Sequence, residues 1–325
     1  MAHSRAGIRS FARSFLNALS YTHSHSQVSA DWHHGFDMMI YRTRTPIRIA
    51  KHKEQPVERH ATTKKGMTLF GSDNALLYVT GMAVDGDGSP HCYHPNNIGL
   101  DYNANAFDKS RNLWVGVVCD AKGNPIVQGP GQPAPGYYVS PTSLRDPRIS
   151  DPGDARRYVN SETIPYIAFP GYLLKMGGSG DISRLELGVN LGDYCIVYHI
   201  RNGKLCPAIF ADVGPRYKLG EGSIRVAQQL GLRSSPKNGG TEMNEIAYVI
   251  FPRTFDPWPR SVEEIEEKAL ALFAGWGGLD RLKQEVGVIE PAFSGRSLED
   301  PPHAIDMPEP GERHLQDEQG EMPRT

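Results

Sequence analysis

The chain has few cysteines, no long apolar run and almost no net charge. Its four cysteines are Cys92, Cys119, Cys195 and Cys206, and no two of them have the CxxC spacing of a structural zinc site. We expect free thiols buried in or near strands, although the sequence also allows two disulfide bonds. No apolar stretch is long enough for a transmembrane helix. A formal net charge of -2 gives no indication of a nucleic-acid partner.

The amino terminus lacks a recognisable secretion signal. Residues 15–19 are the most apolar segment near the start, and they are too few and too interrupted for the hydrophobic region of a signal peptide. The residues alone therefore give no support for export by the ordinary secretory route, and they leave the location of the protein unassigned.

Charge is distributed unevenly along the chain. Residues 1–65 contain eleven Lys and Arg against four Asp and Glu, whereas residues 299–325 contain eight acidic residues against two Arg. Such runs are typical of solvated tails. We expect a basic, partly disordered extension over residues 1–65, a folded domain over residues 66–290, and an acidic, Pro-rich disordered tail over residues 291–325.

Short apolar runs separated by Gly, Pro and Asn turns fill the predicted domain. Residues 194–200 are apolar and β-branched, Asn202-Gly203 follows them, and residues 205–211 return toward Asp212. Asn-Gly is typical of a two-residue type I′ hairpin turn, in which both residues have positive φ. The pattern predicts a mainly β fold with a few helices (α+β). Further strands are predicted over residues 67–82, 113–119, 164–169 and 244–251.

Two serines mark predicted helix starts. Ser223 can cap a short helix that ends at Gly231, a residue suited to a left-handed cap. Ser261 and Glu264 form a capping-box pattern, which predicts a second helix running through Ala274.

Two carboxylates lie at the ends of these elements. Asp212 lies where the apolar strand ends, and Glu221 lies between Gly220 and Gly222 just before the helix. A pair of carboxylic acids is the minimum equipment for hydrolysing a glycosidic bond, because one protonates the leaving oxygen while the other activates water. The alternative is structural: Asp212 forms a turn, and Glu221 is an acid favoured at a helix start.

The two motifs resemble a known signature. Asp212-Val-Gly-Pro215 followed by Gly220-Glu221-Gly-Ser223 is similar to the paired signature of the fungal-type chitosanases, glycoside hydrolase family 75. The resemblance implies a glycosidase that cleaves chitosan, the β-1,4-linked glucosamine polymer, internally and with inversion at the anomeric carbon.

The same resemblance extends to the fold and the site. It implies a compact barrel-like β core, with a double-psi barrel as one candidate form, and secretion of the protein. Asp212 and Glu221 match the two essential acids, which we assign as general base and general acid respectively. We expect no cofactor, and no metal site is predicted, because His91-Cys92-Tyr93-His94 has no second ligand pair of matching spacing.

Candidate substrate-binding residues lie elsewhere in the chain. Asp85 and Asp87 resemble an Asp-rich segment of the same family and could pair with the protonated amines of glucosamine. Tyr198 and Trp114 offer aromatic faces for sugar stacking, or they are core aromatics.

Two alternatives remain open. Arg216 and Lys218 lie in the loop between the two acids, and basic residues are awkward beside a polycation, so the substrate could be peptidoglycan or another amino-sugar polymer. The chain could also be a catalytically inactive barrel with a binding or structural role. A Ser or Cys nucleophile has little support, because no G-x-S-x-G motif is present.

Overall fold

The computed structural model describes residues 58–63, 66–176 and 180–289. The tails predicted over residues 1–65 and 291–325 lie almost wholly outside the described residues. The first described strand, Glu58–Thr62, nevertheless precedes residue 66, the predicted start of the folded domain. The strands are β1 Glu58–Thr62, β2 Thr68–Ser72, β3 Ala75–Asp85, β4 Phe107–Asp108, β5 Leu113–Trp114, β6 Tyr166–Pro170, β7 Tyr172–Lys175, β8 Asp181–Ser183, β9 Tyr194–His199, β10 Leu205–Gly214, β11 Glu221–Ser223 and β12 Thr241–Ile250. The α-helices are α1 Ile224–Leu230, α2 Val262–Trp276 and α3 Gly278–Ile289.

Six strands close into a barrel. Their order is β11, β6, β10, β9, β12 and β3, and the circle closes because β11 pairs with both β6 and β3. The β6–β10 and β3–β11 pairs are parallel, and the other pairs of the circle are antiparallel. Strands β2, β1, β7 and β8 extend the sheet outward from β3. The predicted α+β class with a compact barrel-like core is confirmed, whereas the double-psi form stays a prediction.

Alternating side chains divide the strands into an inner and an outer face. Tyr78, Phe169 and Phe210 belong to the cluster that fills the barrel, and the Tyr78 and Phe169 rings lie 6.4 Å apart between their centroids. The outer face of β9 and β10 packs against α2, where it contributes Ile196 and Ala211 to a second cluster. A period of two residues is what places these two sets on opposite faces.

A one-residue bulge changes the direction of β10 next to Asp212. Phe210 pairs with Ile167 and Asp212 pairs with Ala168, so Ala211 has no opposite residue on β6. Regular alternation after the inward Phe210 would return Asp212 to the barrel interior. The extra residue moves Asp212 to the outer face instead, which is a recognised use of bulges.

Helix and hairpin predictions are confirmed, with one correction. Ser223 caps α1, Gly231 ends it with a φ of 72°, and the capping box of Ser261 starts α2. The Asn202-Gly203 hairpin forms, but the predicted type I′ turn is wrong. Only Gly203 has positive φ, and the turn spans the four residues between His199 and Lys204, whose backbones are joined by a bond from the His199 amide to the Lys204 carbonyl at 2.8 Å.

The strand predicted over residues 113–119 is largely wrong. Only Leu113–Trp114 is a strand, and it pairs with Phe107–Asp108 alone. It belongs to a long irregular segment, residues 86–165, that connects β3 to β6 and is attached to the barrel by hydrogen bonds. The Tyr166 hydroxyl on β6 donates to the Asp87 carbonyl at 2.7 Å, for example, and the Leu144 amide donates to the Ala211 carbonyl at 2.8 Å.

Candidate functional site

A groove of about 870 Å³ lies between the long irregular segment and the outer ends of three barrel strands. We call it the carboxylate groove. Its acidic lining residues are Asp85, Asp87, Asp101, Asp108, Asp212 and Glu221, and its basic lining residues are Arg111 and Lys218.

The barrel register brings Asp212 and Glu221 onto the same face. Asp212 on β10 and Glu221 on β11 both pair with Ala168 on the strand between them. Residues paired in one row point to the same side of a sheet, and their backbones lie two strand spacings apart, about 9.5 Å. Both side chains line the carboxylate groove.

Asp212 is held by a residue distant in the sequence. Its Oδ1 accepts hydrogen bonds from the backbone amide and from the hydroxyl of Ser143, each at 2.7 Å. The same hydroxyl accepts a bond from the Val213 amide at 3.0 Å. Burial raises the pKa of Asp212, and the two Ser143 bonds oppose that rise because they favour the carboxylate.

Glu221 is placed by its neighbours in the loop. Its Oε1 forms an ion pair with Lys218, three residues earlier. Its Oε2 lies against Gly214 so closely that a Cβ there would be 2.5 Å from it. The absence of a side chain at Gly214 is therefore what makes room for the Glu221 carboxylate.

Asp85 and Asp87 lie beside this pair and line the same groove. Ser223, two residues after Glu221 on β11, pairs with Asp85 on β3. Asp87 accepts hydrogen bonds from Tyr93 at 2.9 Å and from Ser140 at 3.1 Å. Burial, with a further contribution from the charge of Asp212, raises the pKa of Asp87 to about 8. Burial also raises the pKa of Asp85 well above its ordinary value.

The predicted aromatic residues lie elsewhere. Tyr198 is 5% exposed and belongs to the outer cluster beneath α2, and it is not among the residues that line the groove. Trp114 packs against Phe107 and Tyr138 in a small cluster of the irregular segment. The structure therefore brings four of the five predicted site residues together, without Tyr198.

The two basic residues of the loop behave differently. Arg216 pairs with Asp181 and lies over the Tyr172 and Tyr217 rings, with its guanidinium carbon 4.7 Å and 5.0 Å from the ring centroids. It does not line the groove. Lys218 lines the groove. Of these two basic residues, Lys218 is therefore the one that places positive charge near the predicted acids.

Sequence reasoning missed the polar residues that complete the groove. Ser143, Tyr93 and Asp101 come from the irregular segment, where no periodic pattern marks a functional side chain. Ser143 is 69 positions from its partner Asp212. Such a contact depends on the barrel register and on the path of the irregular segment, so no local signal could have found it.

No protein-family model matches this chain, and a search of curated proteins finds no match. Among the described residues, no group of three or more His, Cys, Asp or Glu side chains is arranged to hold a metal ion. In the same part of the chain, no helix is both long enough and apolar enough to cross a membrane. All four cysteines are free thiols, and three of them are buried.

Proposed function

We propose that the protein is an inverting glycosidase that hydrolyses the β-1,4 linkages of an amino-sugar polymer of the chitosan type. The observation that carries this proposal is the placement of Asp212 and Glu221 in one row of the barrel, facing one groove. Inversion requires two carboxyl groups about 6.5–9.5 Å apart, with room for a water molecule between one of them and the sugar. The shared row and the shared groove support that arrangement.

The electrostatics favour different catalytic roles for Asp212 and Glu221. Burial raises the pKa of Asp212, so a proton is retained on this carboxyl at pH values where an ordinary Asp is ionised. Glu221 is ion-paired with the Lys218 ammonium, which requires the carboxylate form. We assign Asp212 as general acid and Glu221 as general base, the reverse of the assignment made from the sequence.

The reaction then balances as a single displacement. Glu221 takes a proton from water while the water oxygen bonds to the anomeric carbon. The bond from that carbon to the glycosidic oxygen breaks, and the leaving oxygen takes the proton of Asp212. Both carboxyl groups return to their starting states by exchange with solvent.

The excess of carboxyl groups over basic side chains in the groove supports a cationic substrate. Six carboxyl groups line it against two basic side chains, and both basic side chains are already paired, Arg111 with Asp108 and Lys218 with Glu221. Asp85 and Asp87 lie next to the proposed acids. Burial raises their pKa in the free groove, and a glucosamine ammonium beside either carboxyl would lower that pKa and donate to the resulting carboxylate.

Lys218 favours a second candidate substrate. Its ammonium stands beside Glu221, where a second cation would be repelled. A polymer with neutral N-acetylated units or carboxylate-bearing units, such as peptidoglycan, fits that end of the groove better than fully deacetylated chitosan.

The test is reducing-sugar release from chitosan, chitin and peptidoglycan. We expect Asp212→Asn and Glu221→Gln each to lower kcat by at least about a thousandfold, since each removes one half of the acid–base pair. Asp120→Asn and Glu186→Gln are matched controls, because both carboxylates serve turns outside the groove. Activity that survives in both groove variants would refute the proposal.

A further inference from the structure

Ser143 makes three hydrogen bonds at the β10 bulge. Its amide and hydroxyl donate to the same oxygen, Oδ1 of Asp212, and its hydroxyl accepts from the Val213 amide. Next to it, the Leu144 amide donates to the carbonyl of Ala211, the residue that the bulge leaves without a partner on β6. The irregular segment is thus attached to the barrel at the residue that carries the proposed proton.

These bonds distinguish the two oxygens of Asp212. Oδ1 is occupied by both donors of Ser143, whereas no side chain of the described residues donates to Oδ2. The Val213 amide, which also favours the carboxylate, donates to the Ser143 hydroxyl at 3.0 Å. A carboxyl group with one oxygen fixed in this way cannot rotate freely about its terminal torsion, which is otherwise broad. The oxygen available to hold and deliver a proton is therefore Oδ2.

We propose that Ser143 is the positioning residue of the site and that it selects Oδ2 of Asp212 as the atom that reacts with substrate. This proposal rests on the proposed function, which it deepens by naming the group that orients the acid. Ser143 acts through Asp212 and needs no contact with the sugar. Proton transfer depends steeply on placement, so a free carboxyl would be a poorer acid at the same location.

Other charges also face Asp212, and they must be held constant in a test. Those that share the groove with it come from β3, from the irregular segment, from the loop before β11 and from β11 itself: Asp85, Asp87, Asp101, Asp108, Arg111, Lys218 and Glu221. A change at Ser143 alters none of them directly, since its hydrogen bonds within the described part of the chain go to Asp212 and Val213.

The first experiment compares Ser143→Ala with Ser143→Thr. The Ala variant keeps the backbone donor and loses the hydroxyl donor, so we expect kcat to fall by about tenfold to a hundredfold while KM stays within about twofold. The lost bond favoured the carboxylate, so the limb of the pH–rate profile that belongs to Asp212 should move to higher pH. Ser143→Thr retains a hydroxyl and should recover most of the rate.

Ser183→Ala is a matched control. Ser183 also donates through its amide and its hydroxyl to one carboxylate oxygen, Oε2 of Glu186, at 2.9 Å and 2.8 Å, and neither residue lines the groove. We expect this variant to keep the wild-type rate and pH profile. An equal loss in both Ala variants would mean that the effect is a general one of stability, and it would overturn the proposal.

The second experiment does not need activity. The titration of Asp212 is followed by NMR of 13C-labelled carboxyl groups in wild type, Ser143→Ala and Ser143→Thr. An upward shift of the Asp212 midpoint only in the Ala variant supports the proposal, and an unchanged midpoint overturns it. If the wild type hydrolyses no polysaccharide, the proposed function fails, and with it the assignment of a reacting oxygen, while this titration still decides whether Ser143 fixes the carboxyl.

Discussion

Gly214→Ala tests whether the position of the Glu221 carboxylate matters for activity. A Cβ built on Gly214 lies 2.5 Å from Oε2 of Glu221, and its next neighbour is the Ala168 Cβ at 3.5 Å. Gly214 is not among the glycines with positive φ, so alanine fits the backbone there. The substitution therefore acts on the Glu221 side chain and leaves the strand in place.

The size of the effect follows from the geometry. Ordinary van der Waals contact begins near 3.4 Å, so the carboxylate must retreat by about 0.9 Å. A displacement of about 1 Å can cost roughly a hundredfold in rate, and the Glu side chain relaxes part of it, so we expect kcat to fall by about 10- to 100-fold. A fitting Gly→Ala change stabilises by about 0.4–1 kcal/mol, which corresponds to a Tm change of no more than about 4 °C for a domain of this size.

Chitosan hydrolysis and thermal unfolding are measured together for Gly214→Ala and Gly171→Ala. Gly171 lies at the end of β6, and a Cβ there meets only the Val213 Cγ1, at 3.5 Å, which is ordinary contact. It therefore reproduces the backbone change without the collision. Full activity in Gly214→Ala would refute the proposed role of Glu221, and so would an equal loss in Gly171→Ala.

Two further predictions concern charge. Lys218→Met removes the cation beside Glu221, so we expect KM for chitosan oligomers to fall about threefold at low salt and by less at high salt. KM for neutral chitin oligomers should not change. A higher KM for chitosan oligomers would contradict this prediction. Burial raises the pKa of Asp87 in the folded protein to about 8 from the ordinary Asp value of 3.8, so the unfolded chain ionises first as pH rises, and folding stability falls across that window. Urea unfolding should therefore show Asp87→Asn gaining stability relative to wild type from about pH 4 to pH 8, and a constant difference would contradict the assigned pKa.

Local signals predicted much of the fold because their causes are local. Ser223 caps α1 by accepting from the Val226 amide, and Gly231 ends the helix because its φ of 72° costs a glycine little. The hairpin at Asn202-Gly203 was predicted for the same reason. Its turn type was predicted wrongly, because the hairpin closes over the four residues between His199 and Lys204 and not over Asn202-Gly203 alone.

The site depended on features that no short window contains. Asp212 reaches the groove through the bulge at Ala211, and a regular strand of the same sequence would point it into the core. Tyr198 was predicted as a sugar-binding ring from its residue type alone, but the alternation of β9 places it beneath α2. The direction of each side chain was thus decided by register, which the apolar pattern leaves undetermined to within one residue.

Gly220 and Gly222, which belong to the motif that resembles the chitosanase signature, also have a purely structural explanation. Gly220 has a φ of 94°, and a Cβ there would be 2.7 Å from the Gly81 carbonyl. At Gly222 a Cβ would lie 3.1 Å from the Met82 sulfur, tighter than most real contacts. Both glycines let β11 fit between β6 and β3 and close the barrel.

Barrel closure alone would therefore account for Gly220 and Gly222 in a protein with no catalytic activity. Barrel closure does not explain why residue 221 is ionisable. Ala168, which pairs with Glu221 on the neighbouring strand, packs in the same row without an ionisable side chain. Nor does barrel closure account for Asp212, whose burial raises its pKa and so disfavours the charge that an ordinary Asp carries. The part of the resemblance that indicates a hydrolase is thus the carboxylate pair. The activity of the Asp212→Asn and Glu221→Gln variants therefore tests the proposed function, whereas the glycine pattern does not.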